Sequence, residues 1–79
     1  MELGWWRRDE EHGKHQVHLR IFGGKLVWRR QMKRFSPWEP YVNPDDEDWE
    51  RALELAENRL QRRLTTKDVV DMIRRRETH

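Results

Sequence analysis

Three histidines, His12, His15 and His18, recur at every third residue. On a helix that spacing would line one face with imidazoles and suit a metal ion. They fall instead among strand-favouring residues, where an odd separation sends His15 and His18 to opposite faces. No cysteine is present and no carboxylate completes a ligand set, so ordinary surface histidines are expected, with no metal or other cofactor. The acids Asp45, Asp46, Glu47 and Asp48 are a second group that could do chemistry, as proton donors or acceptors. They directly follow Asn43-Pro44, however, and acids in the first turns of a helix are stabilised by the positive end of its dipole. The chain has no nucleophile elbow, no phosphate-cradling glycine loop and no two-histidine zinc helix. A chain of 79 residues also has little room for a walled pocket. A non-enzymatic protein is expected.

A third group carries the functional reading. His18, Arg20, Phe22, Lys25, Arg29 and Lys33, with Trp5 beside them, would form a basic strip interleaved with aromatic rings. Cations that follow phosphates and rings that stack on bases are what single-stranded nucleic-acid binding requires. Two other readings compete with non-specific nucleic-acid binding. The strip is either a solvated sheet face, with arginines lying over Trp5 and Phe22, or the docking surface of an acidic protein partner. Charge is strongly segregated: residues 12–36 carry seven bases and no acid, whereas residues 39–57 carry eight acids and one base. Such blocks also suit a self-associating module, so the oligomeric state is read as monomer or homodimer.

The strip exists only if a β-hairpin positions it. Gly23-Gly24 accepts positive φ and predicts a two-residue turn within a hairpin over residues 15–34. Ile21 then faces Leu26, Leu19 faces Trp28, and Val17 faces Arg30 on the core side. Phe22 with Lys25, Arg20 with Val27, His18 with Arg29 and Gln16 with Gln31 occupy the other side. Residues 1–11 supply either a third strand, from Leu3 to Arg8, or an extended arm. As a strand it is predicted to set Trp6 beside Val17 in the core and Trp5 beside His18 on the basic face.

After the hairpin, Pro37, Pro40 and Pro44 preclude regular helix or a central strand. Residues 35–43 are read as a connector that straps Phe35, Trp38 and Tyr41 across the core. A helix over about 44–64 follows, with Asn43 as its N-cap and Trp49, Ala52, Leu53, Ala56, Leu60 and Leu64 on one stripe. A second helix, about 66–76, starts at Thr65-Thr66 with Asp68 placed for a capping box, and residues 77–79 fray. Asp68 and Asp71 would repel phosphates if this helix entered a DNA groove, which counts against a helix-turn-helix reader.

The fold class expected is α+β: a two- or three-stranded antiparallel sheet with two helices packed on one face, in a single domain over residues 1–79. Its predicted core is Val17, Leu19, Ile21, Leu26, Trp28, Trp49, Leu53, Ala56, Leu60, Val69 and Ile73. Charged residues make up 41% of the chain, a level at which disorder must be considered, but net charge is only +2 and five Trp add apolar surface. No apolar run approaches the roughly 20 residues of a membrane span. The N-terminus lacks the apolar stretch of a signal peptide, so a soluble cytoplasmic protein without membrane contact is expected.

Overall fold

The computed structural model describes residues 1–10, 13–33 and 35–77. Four antiparallel strands precede two helices: β1 (Glu2–Asp9), β2 (Gly13–Phe22), β3 (Lys25–Gln31), β4 (Glu39–Pro40), α1 (Asp46–Gln61) and α2 (Lys67–Arg74). The strands lie side by side in chain order. The α+β class is as expected, with four strands where two or three were expected.

The central hairpin has the predicted register, Ile21 opposite Leu26, Leu19 opposite Trp28 and Val17 opposite Arg30. Gly23 and Gly24 take φ values of 58° and 73°, so both turn residues use the left-handed freedom that only glycine has without strain. Valine, leucine and isoleucine on alternate positions of β2 are thereby buried beneath the helices, while the intervening side chains face away.

β1 is a strand, but its register differs by one residue from that expected. Trp5, not Trp6, pairs with Val17. Gly13, at a φ of 69°, lets the chain reverse directly after the turn, so pairing extends to Asp9 and Gly13. Packing favours the same phase. It buries Leu3 and Trp5, whereas the alternative would bury Gly4 and Trp6 and leave Leu3 in water. Burying a leucine side chain is worth about 1.5–3 kcal/mol. Glu11 and His12, in the connection, lie outside the described residues, as do Arg34 at the predicted end of the hairpin and Thr78-His79 in the segment expected to fray.

The connector folds differently from a strap over the core. Gln31 Nε2 donates to the Ser36 carbonyl, and the Ser36 amide donates to the Lys33 carbonyl. β4 then pairs Pro40 with Arg29 and Glu39 with Arg30, on the sheet edge where a proline costs no ladder bond. Only Tyr41 of the three connector aromatics packs on the core, its ring edge-on to Trp28 at 6.2 Å. Phe35 is exposed, and Trp38 lies over the other sheet face.

α1 is capped by Asp45 rather than Asn43. The Asp45 carboxylate accepts the Asp48 amide at 3.0 Å and is also held by Arg7, which leaves Asn43-Pro44 outside the helix. The helix stops at Gln61, short of the predicted Leu64, because Arg63 takes a φ of 59°. Its amide donates to Leu60 and that of Leu64 to Arg59, the paired bonds of a Schellman terminus. Leu64 is consequently exposed. α2 ends the same way, with Arg76 at a φ of 53° and amide bonds from Arg76 to Ile73 and Glu77 to Met72. Its N-cap is Thr66, one residue later than a capping box with Asp68 requires, and no side-chain cap bond forms.

The core joins Leu3, Trp5, Val17, Leu19, Ile21, Leu26 and Trp28 of the sheet to Trp49, Ala52, Ala56, Val70, Met72 and Ile73 of the helices. Leu53, Leu60 and Val69, predicted to be central, are only partly buried at its edge. No helix among the described residues is long and apolar enough to cross a membrane.

Candidate functional site

The helices cover one side of the sheet and leave the other open. Alternation fixes what the open side carries: Trp6 and Arg8 from β1, Lys14, Gln16, His18, Arg20 and Phe22 from β2, and Lys25, Val27, Arg29 and Gln31 from β3. Of the residues expected in the basic strip, His18, Arg20, Phe22, Lys25 and Arg29 share this face. Lys33 is exposed beyond the end of β3, in the turn closed by Ser36.

Trp5 does not belong to this face. It is 7% exposed, packs edge-on against Trp28 at 5.9 Å, and donates its indole N–H to Asp48. A ring so enclosed cannot stack on a ligand. The one-residue register difference substitutes Trp6, which is 57% exposed. Trp38 joins it from the connector, 41% exposed and 5.8 Å from the His18 ring, and Phe22 is 56% exposed at the hairpin end.

Two shallow recesses lie on the face. One, of about 580 Å³, is walled by Trp6, Lys14, Gln16 and Gln31. The other, of about 260 Å³, is walled by His18, Arg29 and Trp38. Each therefore sets an exposed indole beside a cation. Gly4 sits under the second: a Cβ there would meet His18 Cδ2 at 3.7 Å, ordinary contact for the imidazole that crosses it.

The intramolecular contacts between described residues on the face are weak and at least partly exposed. Glu2 approaches His18 Nε2 at 3.4 Å and Arg20 Nε at 3.7 Å, Lys14 lies over Trp6 at 5.0 Å, and Arg20 lies over Phe22 at 4.8 Å. Exposed ion and cation–π pairs of this kind contribute about 0–1 kcal/mol each, weak enough for a ligand to displace. The acidic block meets other partners. Arg7, from the core side of β1, binds Asp45, Glu47 and Asp48, while Arg74 and Arg76 bind Glu57 and Asp46.

That Arg7 cluster is the most enclosed polar feature described. Asp48 is 0% exposed and accepts Trp5 Nε1 at 3.0 Å and Arg7 at 2.9 Å. Burial alone would raise the Asp45 carboxyl, but hydrogen bonds from Arg7 and the Asp48 amide outweigh it and hold the group below its ordinary range. The same bonds outweigh burial at Arg7 and keep its guanidinium charged. Burial, followed by the hydrogen bond to Asp48, pushes the Tyr41 hydroxyl up to about 12. Every member is satisfied by another member, which marks a clasp between β1 and α1 more than a reactive centre.

His15 faces the core at 3% exposure and His18 the open side, so the two do not converge; His12 lies outside the described residues. Among the described residues no three His, Asp or Glu groups gather to hold a metal. A groove of about 320 Å³ also runs along the β3 edge between Leu26, Trp28, Tyr41, Val42, Pro44 and Trp49.

Trp6, Trp38, Lys14, Gln16 and Gln31 escaped the sequence reading as site residues. The Gln16–Gln31 pairing was visible in the hairpin register, whereas Trp38 reaches the face through a connector whose path no periodicity encodes. Comparison with known proteins finds no matching family model, no matching curated protein and no matching solved structure.

Proposed function

We propose that this chain is a non-enzymatic binding module that holds single-stranded nucleic acid, without sequence preference, on its open sheet face. The observation that carries the reading is the coincidence on one uncovered surface of three exposed rings, Trp6, Trp38 and Phe22, with the cations Arg8, Lys14, Arg20, Lys25 and Arg29. Bases stack in the recesses beside Trp6 and Trp38, and the cations around them follow the phosphates. Stacking on these rings is open to every base, which suits binding without sequence preference, and the Gln16 amide beside Trp6 in the first recess offers a donor and an acceptor to a base edge. The reading places the activity in the cytoplasm, where a chain without cysteine needs no oxidising environment.

Titration with short fluorescent single-stranded oligonucleotides at two or more salt concentrations tests it. Five neutralised phosphates give a log–log salt slope of about −3.5. Arg20→Glu with Arg29→Glu is expected to abolish binding. Trp6→Ala and Trp38→Ala are each expected to weaken it by about 1–3 kcal/mol, the range for loss of one base–aromatic stack. Absence of binding at low salt by the folded protein would overturn the reading and leave an acidic protein as the alternative occupant.

A further inference from the structure

β1 is the outer strand of the sheet, and its free edge is eight residues long. The direction of its main-chain groups follows from the bonds at its start. The Met1 amino group donates to the Ile21 carbonyl and the Ile21 amide donates to the Met1 carbonyl, which makes residues 1 and 21 a doubly bonded pair. In an antiparallel ladder such pairs alternate, so Leu3, Trp5 and Arg7 spend their main-chain groups on β2. Glu2, Gly4, Trp6 and Arg8 therefore aim their N–H and C=O groups outward. No strand among the described residues pairs with this edge, and it contains no proline.

The residues on that edge are complementary to themselves in reverse. In an antiparallel pair of two β1 strands with Trp5 on the two-fold axis, Glu2 faces Arg8 of the other copy and Gly4 faces Trp6. Both kinds of pair put opposite partners on the open face, the charges attracting and the indole covering the glycine. Moving the register by two residues in either direction loses both charge pairs and sets Gly4 against Gly4 or Trp6 against Trp6. Of the two arginines in β1, Arg7 turns to the core side and is bound by Asp45, Glu47 and Asp48.

We infer that the partner of this edge is a second copy of the chain, docked two-fold through β1 to make one continuous eight-stranded sheet. About eight main-chain hydrogen bonds and two symmetric Glu2–Arg8 pairs join the copies. The inference shares Trp6 and Arg8 with the open-face reading but does not rest on it, because it is argued from the main-chain groups and charge pattern of the sheet edge and needs no ligand.

Sedimentation velocity over a range of protein concentrations, with circular dichroism to confirm folding, tests it. The wild-type mass is expected to rise from 9.9 kDa towards twice that value. Glu2→Arg alone and Arg8→Glu alone each set like charges opposite one another at both ends of the ladder and are expected to weaken dimers about tenfold or more. An equimolar mixture of the two variants restores both attractions, as does the double variant, and each is expected to recover the dimer. Amide exchange supplies the second readout: Gly4, Trp6 and Arg8 should become protected as concentration rises, while Leu3 and Trp5 stay protected throughout. A wild-type chain that remains monomeric at high micromolar concentration overturns the inference. So does a dimer whose Gly4 and Trp6 amides exchange freely, or folded single variants whose mixture fails to recover it.

Discussion

Asp48→Ala is expected to remove about 3–5 kcal/mol of stability, the cost of breaking a buried ion pair from one side. The carboxylate is fully enclosed and accepts from Trp5 Nε1 and from Arg7. Each is a hydrogen bond to a charged group, worth about 1.5–3 kcal/mol, so two of them sum to about 3–6 kcal/mol, which overlaps that range. Arg7→Ala should cost a similar amount, because it leaves the Asp48 carboxylate buried without its countercharge, held only by the neutral donors Trp5 and Tyr41. A domain of this size is expected to hold only about 4–12 kcal/mol in total, so either change is severe. Asp48→Asn keeps one acceptor for Trp5 and should lose about half as much, providing a variant that still folds if the alanine does not. The decisive quantity is the coupling between the two sites. If Arg7 and Asp48 act as one clasp, the double variant should cost about 2–3 kcal/mol less than the two single changes together. Urea unfolding followed by far-ultraviolet circular dichroism measures all four proteins. Single effects that add to within about 0.5 kcal/mol would refute the clasp as the tie between β1 and α1.

Three further outcomes are expected. Trp28→Ala and Trp5→Ala should each cost about 3–5 kcal/mol in thermal or urea unfolding, while Trp6→Ala stays within about 0.5 kcal/mol; the reverse order for the adjacent tryptophans would mean that β1 is out of phase. Arg63→Gly should stabilise the fold by about 0.5–1 kcal/mol, since glycine relieves the left-handed strain at the α1 terminus, partly offset by greater freedom when unfolded; a loss of stability would contradict that terminus. The pH profile should show two limbs. Asp45, depressed by Arg7, contributes stability that is present above its unfolded value and lost as pH falls through the folded one. Tyr41, raised to about 12, contributes stability that is present below the ordinary tyrosine value near 10 and lost as pH rises from there towards 12. Melting temperatures should therefore flatten at acid pH in Arg7→Met and at alkaline pH in Tyr41→Phe, and unchanged limbs would sink the assignment.

The parts of the fold legible in the sequence are those fixed by local chemistry. Gly23-Gly24 determine the hairpin turn, and the turn determines every pair of β2 with β3. The stripe of Trp49, Ala52 and Ala56 likewise marks the buried face of α1. What was not legible depended on distant competitors. Asp45 outcompetes Asn43 as N-cap because Arg7, far earlier in the chain, also needs that carboxylate. The phase of β1 depends on Gly13 turning early and on Leu3 finding a place under the helices. Either tryptophan of the Trp5-Trp6 pair could have pointed inward from pattern alone, so the expected strip keeps its β2 and β3 residues on one face but has Trp6 in place of Trp5 from β1. The helix ends were missed for a different reason: arginine at Arg63 and Arg76 occupies positions where glycine is the usual signal.

Arg7 and Asp48 are 41 residues apart along the chain, and their union has a consequence for how the molecule assembles. The glycine hairpin and the helix pair can each form over short stretches, whereas this junction must bring distant segments together and carries the larger entropic cost of closure. It should therefore form after the rate-limiting step. Stopped-flow measurements on Arg7→Ala are expected to show faster unfolding with a refolding rate nearly that of the parent; a matching slowdown in refolding would place the junction in the folding nucleus instead. With the expected result, the clasp between β1 and α1 is the last contact to close and the first to open.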